Sequence, residues 1–90
     1  MKRFVIERNL PGVQNLAPGE LREAAAKSNA SIAKLGGKVT WEHSYVVQDK
    51  TFCIYIADSA ESVMKHAQDS GFPANKVTEV RTVIEPMTAV

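Results

Sequence analysis

The chain has a single cysteine, Cys53, so no internal disulfide can staple it, and a lone thiol suits a reducing compartment such as the cytoplasm. Histidine is almost as scarce. His43 and His66 together with that thiol are too few for a four-ligand site, so a metal would have to recruit carboxylates, water or a second chain. An excess of one charge is also missing. Eleven Lys and Arg are interspersed with ten Asp and Glu, which leaves no basic face for nucleic acid. No apolar run approaches the roughly 18 residues needed to span a bilayer. The start, Met1 to Ile6, is basic but meets Glu7 and Arg8 too early for a signal peptide. Zinc-type Cys-x-x-Cys and His-x-x-x-His spacings, a P-loop, a dinucleotide glycine pattern and a nucleophile elbow are all absent. These gaps argue against nucleic acid, membrane and motif-encoded catalysis as its business.

What is present is a single domain, residues 1–90, with ordinary globular composition. Phe4 to Arg8 reads as a strand, closed by the turn-forming run Asn9-Leu10-Pro11-Gly12. Pro18 suits a first helical turn, and Leu21, Ala24, Ala25, Ser28, Ile32 and Leu35 follow at three-and-four spacing until Gly36-Gly37 stops the helix. Val39–Val47 and Thr51–Ala57 form a hairpin. A second helix opens with Asp58 as cap and Glu61 three residues on, carries Ala60, Val63, Met64 and Ala67 as its stripe, and ends at Gly71. Val77 to Ile84 is a last strand before Pro86. The order β-α-β-β-α-β predicts an α+β fold, the ferredoxin-like sandwich, with both helices on one face of a four-stranded antiparallel sheet. Its first and third strands should lie centrally. The third strand is apolar on both sides, which predicts a covered outer face and hence a homodimer through the sheet, a dimeric α+β barrel.

The hairpin gathers the only Trp, the only Cys, both Tyr and one His. An even loop centred on Asp49-Lys50 pairs Val46 with Cys53 and Ser44 with Tyr55. Trp41, His43, Tyr45, Phe52, Ile54 and Ile56 then share a face with Phe4 and Ile6 as the helix-side core. Glu42, Ser44, Cys53, Tyr55, Val5, Glu7, Glu79 and Arg81 share the other face. A three-residue loop or a bulge would instead put His43 with Cys53 and Tyr55. His43, between Trp41 and Tyr45, is either an inert sheet-edge histidine or a metal ligand or base. Cys53 reads as a small core residue with nothing beside it in sequence to activate the thiol. His66 lies just off its helix stripe, a boundary position for a solvated residue.

The runs Phe-Val-Ile-Glu-Arg with Leu-Pro-Gly, Trp-Glu-His-Ser-Tyr-Val with Phe-Cys-Ile-Tyr, and Lys-His-Ala with Gly-Phe-Pro-Ala-Asn span nearly the whole chain. Together they resemble small bacterial ferredoxin-like proteins, a domain of unknown function whose members are sometimes named nickel-binding or nickel-responsive. That resemblance implies a cytoplasmic dimeric α+β barrel and a nickel or other divalent transition-metal cofactor. Metal-binding members carry histidines near the end of the first strand and just before the Pro-Ala turn, where this chain has Glu7-Arg8 and Phe72. The family's ligand positions therefore do not carry over, and if a metal binds, the ligands expected here are His43, His66, Cys53 and Glu7. Three functions compete: a non-enzymatic metal-binding dimer; a cofactor-free oxygenase- or isomerase-like enzyme with a pocket around His43 lined by Trp41, Tyr45, Tyr55 and Arg81; and a small-ligand-sensing or interaction module. No nucleophile, base and orienting group can be assembled from the sequence, so binding ranks above catalysis.

Overall fold

The computed structural model describes residues 1–90. Its elements are β1 (Lys2–Asn9), a 3₁₀ turn (Val13–Asn15), α1 (Pro18–Ala33), β2 (Val39–Val47), β3 (Lys50–Ala57), α2 (Ala60–Ser70), β4 (Lys76–Glu79) and a 3₁₀ turn (Pro86–Ala89). The sheet runs β2-β3-β1-β4 with every pairing antiparallel. This is the four-stranded, two-helix α+β arrangement that the element order predicts, with β3 and β1 in the middle. No helix is long and apolar enough to cross a membrane.

Helix ends follow local chemistry. Pro18 opens α1, where its missing N–H costs no hydrogen bond, and the Ala17 backbone N–H donates to the Glu20 carboxylate at 3.1 Å. Gly36 and Gly37, both at positive φ, turn the chain out after α1. The cap of α2 is Ser59, whose hydroxyl accepts from the Ser62 N–H at 3.2 Å; Asp58, expected as the cap, instead accepts from the Ser62 hydroxyl.

The last strand is shorter than Val77 to Ile84. Its register runs Glu79 opposite Phe4 to Lys76 opposite Glu7, and one further bond joins the Val80 N–H to the Arg3 carbonyl. Beyond that point β1 has almost run out, so residues 81–84 have alternation suited to a strand and no neighbour to pair with.

Of the alternatives open for the hairpin, the loop is the even one, but it sits one residue earlier than Asp49-Lys50. Val47 pairs with Lys50 across Gln48-Asp49, so Ser44, not Val46, lies opposite Cys53. Asp49 takes the positive φ that this turn needs, and its carboxylate accepts from the Gly12 N–H at 2.9 Å. A bulge at Glu42 then shifts the register, so that Trp41 faces Tyr55 while His43 faces Ile54. Glu42 itself is held by Arg3 Nε at 2.7 Å.

These registers reverse the expected faces of β3 and of most of β2, while Phe4, Ile6 and Trp41 stay on the helix side and Val5 and Glu7 on the other. Buried under the helices are Phe4, Ile6 and Arg8 of β1 with Thr51, Cys53, Tyr55 and Ala57 of β3. Trp41 and Ser44 join that side, and Glu79, opposite Phe4, belongs to it as well. His43, Tyr45, Phe52, Ile54 and Ile56 face outward with Val5 and Glu7. Both sides of β3 are apolar, so hydropathy does not distinguish them. Phe4 and Ile6 were assigned correctly to the core. Their partners were not, because Phe4 stands directly opposite Tyr55 and Ile6 opposite Cys53.

Candidate functional site

Between α1 and the sheet lies a half-open cavity of about 540 Å³. Its origin is legible in α1, which turns Leu21, Ala24, Ala25 and Ser28 toward it. Ala and Ser side chains are too short to fill the gap that a helix leaves over a sheet. The floor is Trp41, Ser44, Val46, Thr51, Cys53 and Tyr55, and the loop after β1 closes one end with Leu10, Pro11, Val13 and Leu16. Trp41 reaches this floor only because of the Glu42 bulge, and its indole N–H donates to the Ser44 hydroxyl at 2.9 Å.

At the other end sits Arg8, continuing the inward alternation of Phe4 and Ile6, and only 2% exposed. Its Nη1 donates to the Pro73 carbonyl at 2.8 Å and to the Phe72 carbonyl at 3.4 Å, and its Nη2 donates to Tyr55 Oη at 3.3 Å. Behind Tyr55 the bonds continue. His66 Nε2 lies 3.0 Å from Tyr55 Oη, and His66 Nδ1 lies 2.9 Å from Ser31 Oγ. The Ser31 hydroxyl donates to the His66 carbonyl at 3.3 Å.

One proton arrangement satisfies the whole chain. Ser31 spends its proton on the carbonyl, so it accepts from His66 Nδ1–H, and His66 Nε2 is left to accept the Tyr55 proton. Tyr55 in turn accepts from Arg8. Burial, reinforced by the nearby Arg8 charge and only partly opposed by Asp69, pulls the His66 pKa from 6.5 down to about 4, so the ring is neutral at pH 7. Burial also raises the Tyr55 pKa, with Arg8 opposing, so the phenol keeps the proton it donates. No buried side-chain polar atom is left without a partner.

The residues predicted to form a site are scattered over the fold. Trp41, Tyr55 and Cys53 line the cavity, with the Cys53 thiol 3.5 Å from the Thr51 hydroxyl. His66, expected at a solvated boundary, is 0% exposed and stands behind the cavity wall. Tyr45 is on the outer face, 57% exposed, with its hydroxyl 3.1 Å from His43 Nε2. Glu7 shares that face and pairs with Lys50 at 3.7 Å. Arg81 is exposed beyond the end of β4. His43 does not line the cavity, so the enzyme alternative built on a pocket beside it lacks its base. Two members of the site, Arg8 and Ser31, carry no motif that marks them in the sequence. The signals were there: Arg8 extends the period of two from Phe4, and Ser31 follows Ser28 by three on the α1 face.

The profile of the family described as "Nickel responsive protein SCO4226-like" matches residues 4–80, most of the chain. The chain belongs to that family. Among solved structures, the crystal structure of SCO4226 from Streptomyces coelicolor A3(2) superimposes on it with a TM-score of 0.76 and 20% identity, covering 91% of this chain and 99% of that one. At that identity the likeness is one of fold. No curated protein matches the chain.

The SCO4226-like description raises nickel, and the side chains here can be tested against it. His66 has both ring nitrogens engaged inside the domain, and Cys53 lies on the helix side of the sheet. His43 and Glu7 lie on the opposite side. Nowhere do three His, Cys, Asp or Glu converge as metal ligands require. The expected set of His43, His66, Cys53 and Glu7 therefore does not fit one metal within this subunit.

Proposed function

We propose that this SCO4226-like protein is a non-enzymatic module that holds a small, largely apolar molecule between α1 and the sheet. The observation that carries this reading is the cavity itself. Its volume of about 540 Å³ falls within the usual range for small-molecule sites, and 11 of its 16 lining residues are hydrophobic, with a few polar groups at fixed positions. Binding is favoured over catalysis because Tyr55 and His66 are committed to each other and no free base stands over the Cys53 thiol. Nickel is outside this reading, since its candidate ligands stand on opposite sides of the sheet.

Trp41, the only tryptophan, lies in the cavity wall and reports on occupancy. Titration with the neutral probe N-phenyl-1-naphthylamine is expected to quench Trp41 emission and saturate. Ala25→Phe, which places a ring in the cavity, is expected to weaken that binding about tenfold or more. Uptake unaltered by Ala25→Phe, or none by the native protein, would overturn the reading.

The same module is proposed to work as a homodimer. Val5, Phe52, Ile54 and Ile56 form a half-buried apolar patch on the outer face, bordered by exposed Tyr45 and Val47. A second copy offers an identical patch and can cover it by a two-fold operation. Light scattering is expected to give twice the chain mass, and Ile54→Lys, which charges the patch centre, to give the monomer. A native monomer at micromolar concentration would contradict the dimer.

A further inference from the structure

We infer that the molecule held in this cavity carries a carboxylate, and that Arg8 receives it. The inference rests on the binding reading above and names the ligand's chemical class. Arg8 is a fixed positive charge almost wholly inside the domain, and no Asp or Glu makes an ion pair with it. Glu7 is adjacent in sequence but points to the other side of the sheet and pairs with Lys50. A buried charge without a counterion is costly, and proteins retain one where something compensates it.

The donor count indicates where compensation comes from. A guanidinium has five N–H groups. Three go to the Phe72 and Pro73 carbonyls and to Tyr55 Oη, which are neutral acceptors. Nε and the second Nη2 proton have no protein acceptor. An Nε–H and an Nη2–H are the pair by which a guanidinium grips a carboxylate on two prongs. Because Nε has no partner and no buried polar atom is orphaned, Nε keeps some exposure, and the cavity is the space that Arg8 lines.

The surroundings strengthen the same choice. Arg8 is the only charged residue lining the cavity. Behind it His66 is held neutral and adds no charge of its own, and no carboxylate pairs with Arg8. The Phe72 ring centroid lies 5.9 Å from Arg8 and 5.5 Å from Lys27, which adds a second positive charge at that end. Most of the remaining lining is apolar, Leu10, Val13, Leu16, Leu21 and Trp41 included, and its hydroxyls at Ser28, Ser44 and Thr51 are uncharged. A ligand matching both ends has an anionic head on an aliphatic or aromatic body: an apolar monocarboxylic acid. A low local dielectric makes the pairing far stronger than it would be in water.

Decanoate, decanol and decylamine share a chain and differ in the head, so they separate head from body. Each is titrated below its micellar range against the native protein at pH 7, with Trp41 emission as the readout. Decanoate is expected to bind about 10- to 100-fold tighter than decanol, the span set by hydrogen bonds to a charged partner, and decylamine to bind weakest. Arg8→Gln is expected to remove the preference for decanoate over decanol. Should that variant fail to fold, Arg8→Lys keeps the charge, loses the two-pronged grip and is expected to retain only part of the preference. Decanol binding as well as decanoate to the native protein would overturn the carboxylate inference and leave the apolar cavity reading in place. Failure of all three to bind would overturn both.

Discussion

Acidification from pH 7 to pH 4 is expected to destabilise the fold progressively, with His66 as the cause. In the unfolded chain this histidine takes up a proton near pH 6.5, whereas in the folded protein burial and Arg8 hold it neutral down to about pH 4. Between those values the unfolded state binds more protons, so stability rises with pH and falls as pH falls. The contribution is fully present above pH 6.5 and is lost by about pH 4, a change on the order of 3 kcal/mol. Asp58, whose pKa is lowered first by the hydrogen bond from Ser62, acts in the same direction but below this window. Urea unfolding at half-unit steps from pH 7.5 to 4 measures the slope. His66→Gln removes the titrating group and should flatten it; an unchanged slope in that variant would place the acid sensitivity elsewhere.

Tyr55→Phe is expected to be the second large effect, because one hydroxyl joins Arg8 to His66. Its removal leaves His66 Nε2 and an Arg8 N–H without partners in a site that is almost wholly buried, Tyr55 itself being 1% exposed. Each orphaned group costs about 1–3 kcal/mol, so a loss of about 2–6 kcal/mol is expected. In a domain of this size that lowers Tm by more than about 10 °C. Tyr45→Phe makes the same chemical change on the exposed outer face and should stay within about 0.5 kcal/mol. Calorimetry on the pair therefore tests the register of the hairpin as well as the network. Equal effects from the two tyrosines would mean that the faces are assigned wrongly.

The two tyrosines also show where the sequence is legible. Both sit in strand-like runs beside apolar residues, and β3 is apolar at every position from Phe52 to Ile56, so alternation does not say which half faces the helices. The helix-side set, Cys53 and Tyr55, is smaller or more polar than the outward set, Phe52, Ile54 and Ile56. Hydropathy therefore points the wrong way. What selects the smaller set is the other layer: α2 brings His66 and Val63 down onto Tyr55 and the neighbouring core, and a larger neighbour would displace them. An apolar outer face is the price if a second copy covers it.

Elements whose signals are local could be read directly. Pro18, Gly36-Gly37, Gly71 and the run from Asn9 to Gly12 mark ends and turns by backbone chemistry that needs no distant partner. The β-α-β-β-α-β order and the central place of β1 and β3 follow from those boundaries together with right-handed crossovers. The bulge at Glu42 was not legible. It is stabilised by Arg3, 39 positions away in sequence, and it alone brings Trp41 into the cavity.

By itself, then, the sequence determined the α+β order, the helix stops and the lack of any motif-encoded catalytic set. Tertiary structure decided which face of β3 is core, that His66 is buried and neutral, and that Arg8 lies inside without a counterion. The division has a physical reason. Propensity and turn chemistry act over a few residues, whereas the network from Arg8 to Ser31 joins β1, β3, α2 and α1. Its members become neighbours only after the sheet has formed and both helices have packed against it.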